Sequence, residues 1–119
     1  MERYVKNVEH AKVLSFAEEV DYQPGQIVSK TLAQNEHVSL TLFAFEKGEE
    51  IGTHESEGDA LVVALDGSGE ITIAGEKHTL RAGESIVMPS RVPHAVHAIE
   101  RFKMFLVVVF GAGVEGSSE

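Results

Sequence analysis

Breaks come so often along this chain that no long helix can form. Pro24-Gly25, Lys47-Gly48, Gly58, Asp66-Gly67-Ser68-Gly69, Ala74-Gly75, Ala82-Gly83 and the stretch from Pro89 to Pro93 cut it into short runs. Glycine supplies the positive-φ conformations of tight turns. Proline fixes φ and lacks an N–H, so it interrupts helices and central strands. The runs in between are rich in Val, Ile, Leu, Thr and Phe and predict strands over 26–33, 38–45, 50–54, 60–65, 69–73, 76–80, 85–88, 94–98 and 103–109. Turn signals at this spacing indicate an all-β fold, a sandwich or a barrel.

The apolar pattern within the runs is informative. In Gly69-Glu70-Ile71-Thr72-Ile73 the two Ile face one side and Glu70 and Thr72 the other. The turn Ala74-Gly75 then leads into 76–80, and the pair reads as a hairpin. Runs 61–65 and 106–110 are apolar on both faces. Such strands belong inside a double-layered barrel or under a second subunit. Helix is expected only over 14–20, for one or two turns, before Pro24 stops it.

A chain of 119 residues makes one domain, with a core that needs no covalent staples. We expect an N-terminal arm over about 1–35, a barrel over about 36–110 and a frayed tail over 111–119. Cysteine is absent, which excludes thiolate metal sites and disulfides. The first ten residues carry Glu2, Arg3, Lys6 and Glu9 and lack an apolar signal core, so a cytoplasmic location is expected. The net charge of −9 argues against nucleic acid and anionic membrane as partners, because both are held by clustered Lys and Arg.

Two segments carry the chemistry. In the first, Gly48 is followed by His54 after five residues, then by Ser56, Ala60 and Gly67. In the second, Gly83 is followed by Pro89 after five residues, then by Arg91, His94 and Ala98. The 15 residues from Ser68 to Ala82 lie between them. This pattern resembles the two motifs of the cupin family. The resemblance implies a double-stranded β-helix, or jelly-roll barrel, and a dimer. It also implies a divalent transition metal (Fe, Mn, Ni or Zn) in the interior, held by three His and one Glu.

Several positions depart from that pattern. Ser56 stands where the family has its second His, and Ala60 where it has Glu. Arg91 replaces a Gly, and Ala98 an Asn. Strand parity points 54, 56 and 60 into the barrel, opposite His94. We therefore take His54, Ser56, Ala60, Met88 and His94 as the expected ligand pocket, with His54 and His94 as metal ligands. Asp59 is the candidate third ligand if a bulge at Gly58 turns it inward. Glu55, Glu57 and Asp59 otherwise read as a solvated rim, His78 and His97 as surface, and His10 and His37 as lacking a partner. Arg91 reads as a surface charge or as a gate that recognises a carboxylate.

Two donors fall short of the three or four that hold a metal tightly. Small-molecule binding in the barrel is therefore the first expectation, with a weak metal site at most. A metal-dependent isomerase, decarboxylase or dioxygenase is the alternative. Metal-free acid–base catalysis by the two His and a structural or sensory module complete the set.

Overall fold

The computed structural model describes residues 4–111. The strands are β1 (Ile27–Gln34), β2 (Val38–Phe45), β3 (Glu50–His54), β4 (Asp59–Ile73), β5 (Glu76–Arg81), β6 (Ser85–Met88) and β7 (His94–Val109), all antiparallel. The all-β jelly-roll barrel expected from the sequence is the fold found. The tail expected to fray falls outside the described residues from 112 onward.

Two strands correct the sequence reading. Asp66-Gly67-Ser68-Gly69 is not a break between two strands. It lies inside β4, which runs for 15 residues with register shifts at Ala64/Asp66 and Gly67/Gly69. Likewise 94–98 and 103–109 are one strand, β7, of 16 residues. Glycine is needed here for close approach and not for reversal. Gly67 has φ +74°, and a Cβ on it would sit 1.6 Å from the Arg101 carbonyl oxygen. At Gly69 a Cβ would meet the Phe102 ring at 2.7 Å. The two long strands thus bend together, and each serves two layers. One layer is β1-β2-β7-β4-β6, using the second half of β7 and the first half of β4. The other is β3-β7-β4-β5, using the remaining halves.

Between the layers lies a core of Phe45, Val62, Ile71, Phe102 and Met104, each essentially fully buried. The bend forms one rim of the barrel. The ends of β4 and β7 meet at the other rim, with the loops 55–58 and 89–93.

A second cluster lies outside the barrel, where the N-terminal arm covers β1 and β2. Phe16 packs on Phe105 at 5.0 Å between ring centroids. The helix expected over 14–20 is a single 3-10 turn, Phe16–Glu18. Lys103 Nζ donates to the Ala17 carbonyl, so tertiary contacts shape this segment more than helix propensity does. The arm is locked by Tyr22. Its hydroxyl donates to Asp66 Oδ2 at 2.5 Å, and Arg101 and Lys103 lie 5.0 and 4.8 Å from its ring centroid. Burial, then the Asp66 hydrogen bond, pushes the Tyr22 hydroxyl well above its usual range. Arg101 also binds Glu46 through two bonds of 2.8 and 3.1 Å, which holds the Glu46 carboxyl below its usual range. Among the described residues no helix is long and apolar enough to cross a membrane.

Candidate functional site

His94 opens β7 in the middle of its sheet. His54 on β3 and Ile73 on β4 are its neighbours in register. It is the one buried polar residue among those described, at 5% exposure. His54 ends the short strand β3, which among the described residues pairs only with β7, and it is exposed. The two rings meet edge to face with centroids 4.3 Å apart, and their Nε2 atoms are 3.1 Å apart.

The hydrogen bonds define where the protons are. His54 Nδ1 lies 2.9 Å from the Gly52 carbonyl oxygen, and His94 Nδ1 lies 3.1 Å from that of Val92. A carbonyl can only accept, so both Nδ1 atoms carry hydrogen and donate. Both Nε2 atoms then have free lone pairs facing one another. A bond between them requires a further proton, and with it the pair carries one positive charge. The other tautomer on either ring would set a bare Nδ1 against a carbonyl oxygen.

Below the pair is a cavity of about 150 Å³. Its walls are Phe43, Ile51, Met88, Val96, Met104 and Leu106, and the two imidazoles are its polar end. A small, mostly apolar cavity with a few convergent polar groups is the usual form of a ligand site. A larger open hollow of about 540 Å³ runs along the arm from Asn7 to Glu19. Its walls are surface loop, and Lys12 there is already paired with Glu9 at 3.1 Å. The inner cavity is the better candidate.

Of the residues selected from sequence, His54, Met88 and His94 come together in this cavity. Ser56 and Ala60 are not among its walls. Ser56 lies beyond the end of β3, exposed in the loop, where strand alternation no longer applies. Ala60 is buried in the core at 3% exposure, opposite Met88 and Val108. Asp59 does not turn inward. Its Oδ1 accepts the Ser90 N–H at 2.8 Å on the outer side of the loops. His97 faces outward and binds Glu50 at 3.1 Å. His78 lies 4.0 Å from Glu76. His10 reaches the Val5 carbonyl at 2.7 Å and His37 lies 3.6 Å from Glu36, so both have partners where none was expected. The apolar walls were missed, although parity with His94 marks Val96 as inward.

The metal that the family resemblance implies would find two imidazole nitrogens at this site and nothing more. Among the described residues no three His, Asp or Glu side chains gather closely enough to hold an ion. The donors present do not fit a retained three- or four-ligand centre.

A family model for the cupin domain matches residues 41–110, and the chain belongs to the cupin family. It is similar to a conserved protein of unknown function from Streptococcus pyogenes, with 46% identity over 94% of this chain and 98% of that one, at a TM-score of 0.92. It is also similar to a cupin superfamily protein from Desulfitobacterium hafniense, with 30% identity over 90% and 98% of the two chains and a TM-score of 0.85. A salicylate 1,2-dioxygenase from Pseudaminobacter salicylatoxidans shares the fold alone, at 21% identity and TM-score 0.65 over 73% of this chain and 27% of that one. Among curated proteins none matches.

Proposed function

We propose that this cupin binds a small organic anion, a compact apolar body bearing one carboxylate, in the cavity beneath His54 and His94. The observation that carries the reading is the pair itself. Two imidazoles whose Nδ1 atoms face carbonyl oxygens and whose Nε2 atoms lie 3.1 Å apart can be bridged only by an added proton, and the positive charge of such a bridge would favour an anion at the cavity's polar end. No carboxylate side chain is among the walls to neutralise it. An apolar space of about 150 Å³ accepts one aromatic ring or a short branched chain, since apolar cavities of that size take up benzene.

Benzoate is a suitable probe, with toluene as its neutral analogue. Titration followed by methyl NMR should move the Met88, Val96 and Met104 signals with benzoate, and much less with toluene at equal concentration. His94→Leu, which leaves the volume nearly unchanged, should abolish the difference. Equal response to both probes would overturn the anion reading.

The chain is also proposed to act as a homodimer. Val87, Leu61 and Val107 are registered neighbours across β6, β4 and β7. They belong to neither core cluster, and Val87 is 51% exposed. The N-terminal arm covers the adjoining part of that layer but not this row. Two copies of a chain with charge −9 repel, so they approach best through a patch without charge, and a two-fold contact sets this row against itself. Sedimentation equilibrium should give twice the chain mass at micromolar concentration, and Leu61→Glu should give the monomer. A monomeric wild type would overturn the proposal.

A further inference from the structure

We propose that Arg91 is a positioning residue for the imidazole pair. Its ion pair with Glu57 latches the loop 55–58 to the loop 89–93 and so holds His54 against His94.

The two loops spring directly from the site. The first begins where His54 ends β3, and the second runs from Met88 to His94. They are joined side to side. Arg91 N–H donates to the Ser56 carbonyl at 2.9 Å, Gly58 N–H to Ser90 Oγ at 3.0 Å and Ser90 N–H to Asp59 Oδ1 at 2.8 Å. Across them Arg91 Nη2 meets Glu57 Oε2 at 3.0 Å. Beyond its pairing with β7, the end of β3 has little else to hold it, because among the described residues its other edge has no partner strand. The register between β3 and β7 also shifts between Ile51 and His54.

Arg91 is costly where it stands. Its φ is +63°, a conformation that side chains other than glycine adopt with strain. Strain of this kind persists where the surroundings over-determine it, and it gathers at functional sites. Here the left-handed residue aims the Arg91 N–H at Ser56 and its guanidinium at Glu57. Both side chains are about three-quarters exposed, 73% and 74%, and exposed ion pairs are weak. A weak tie across two short loops closes the rim yet releases easily, which suits a mouth that must admit a ligand. The proposal rests on reading the cavity as a binding site only for its purpose. Its test uses no ligand, so its failure and the failure of anion binding are separate results.

The test is carbethoxylation of histidines by diethyl pyrocarbonate, followed residue by residue by mass spectrometry. His94 is buried and reacts only when the rim opens, whereas His97 and His78 on the outer surface serve as internal references. Glu57→Gln and Arg91→Ala should each raise the His94 rate about two- to fivefold, the range set by one exposed ion pair. The references should stay constant. The charge-swapped double variant, Glu57→Arg with Arg91→Glu, should return the rate toward wild type. Raising sodium chloride to 1 M should increase the wild-type rate and leave that of Glu57→Gln unchanged, which keeps the test valid if a variant folds poorly. Unchanged His94 rates in the single variants, a common rise at all three histidines, failure of the swap, or a salt-insensitive wild type would each overturn the proposal.

Discussion

The two rims of the barrel are built in opposite ways from similar residues. At the bent rim, Arg101 is held by two bonds to Glu46 and lies over Tyr22, which in turn is bonded to Asp66. Beneath them the backbones of β4 and β7 pass so closely that Gly67 has no room for a Cβ. At the mouth rim, the Arg91 guanidinium is held by one exposed bond to Glu57, on a backbone in a strained conformation. The first arginine sits in a network, and the second in a solitary pair. The difference separates two tasks. The bent rim fixes the course of the long strands and so brings His94 to the centre of its sheet. The mouth rim leaves His54 on a short strand whose position depends on a few contacts.

The largest effect should follow from striking the bent rim at its backbone. Gly67→Ala sets a Cβ against the Arg101 carbonyl in a conformation that alanine resists. Neither backbone can yield without breaking the pairing of β4 with β7. We expect a loss of about 3 kcal/mol or more, measured by urea denaturation. A loss under about 1 kcal/mol would mean that the bend is soft and the contrast between the rims is false.

A smaller effect should come from the network above it. Tyr22→Phe keeps the ring and its cation contacts but removes the bond to Asp66. The site is partly exposed, so about 1 kcal/mol is expected at neutral pH. The pH dependence sharpens the test. The folded state raises the Tyr22 hydroxyl above its usual range through burial and the Asp66 bond. The unfolded chain releases that proton near pH ~10 while the folded chain keeps it. The stabilisation is therefore complete below pH ~10 and is lost as pH rises above it. Tyr22→Phe should flatten this alkaline decline in stability. An identical decline in the variant would assign it to other groups.

Much of this architecture was legible in the sequence because it is local. Alternation in 69–73 identified extended chain and its hairpin with β5, though not that the segment is the end of the longer β4, and the spacing of Gly48, His54, Gly83, Pro89 and His94 identified the family and the two imidazoles that meet. The errors have a common cause. Asp66-Gly67-Ser68-Gly69 carries the residues of a turn, but the same residues permit a close strand crossing. Only Arg101 and Phe102, more than thirty positions away, decide between the two. Ser56 was placed by a parity rule that ends where β3 ends. Asp59 was offered an inward bulge, yet Ser90 N–H draws its carboxylate outward. The Tyr22–Asp66 bond joins residues 44 positions apart, and no pattern within one strand announces it.

The smallest change in stability should come from Arg91→Gly, and that near-silence makes it the most telling test of the comparison. Three terms compete. Glycine adopts φ +63° freely, which relieves about 1–2 kcal/mol of left-handed strain. It restores flexibility to the unfolded chain, at a cost of about 0.5–1 kcal/mol. It deletes an exposed ion pair that contributes about 0–1 kcal/mol. The backbone bond to Ser56 remains, since it uses the N–H that glycine retains. The sum lies near zero, so thermal unfolding should shift by only a few degrees, in either direction. If the mouth rim serves position and not stability, that unchanged midpoint should accompany a raised His94 reactivity toward diethyl pyrocarbonate. A large fall in the midpoint would place Arg91 in the same class as Arg101, as a structural tie. The two rims would then differ in exposure alone.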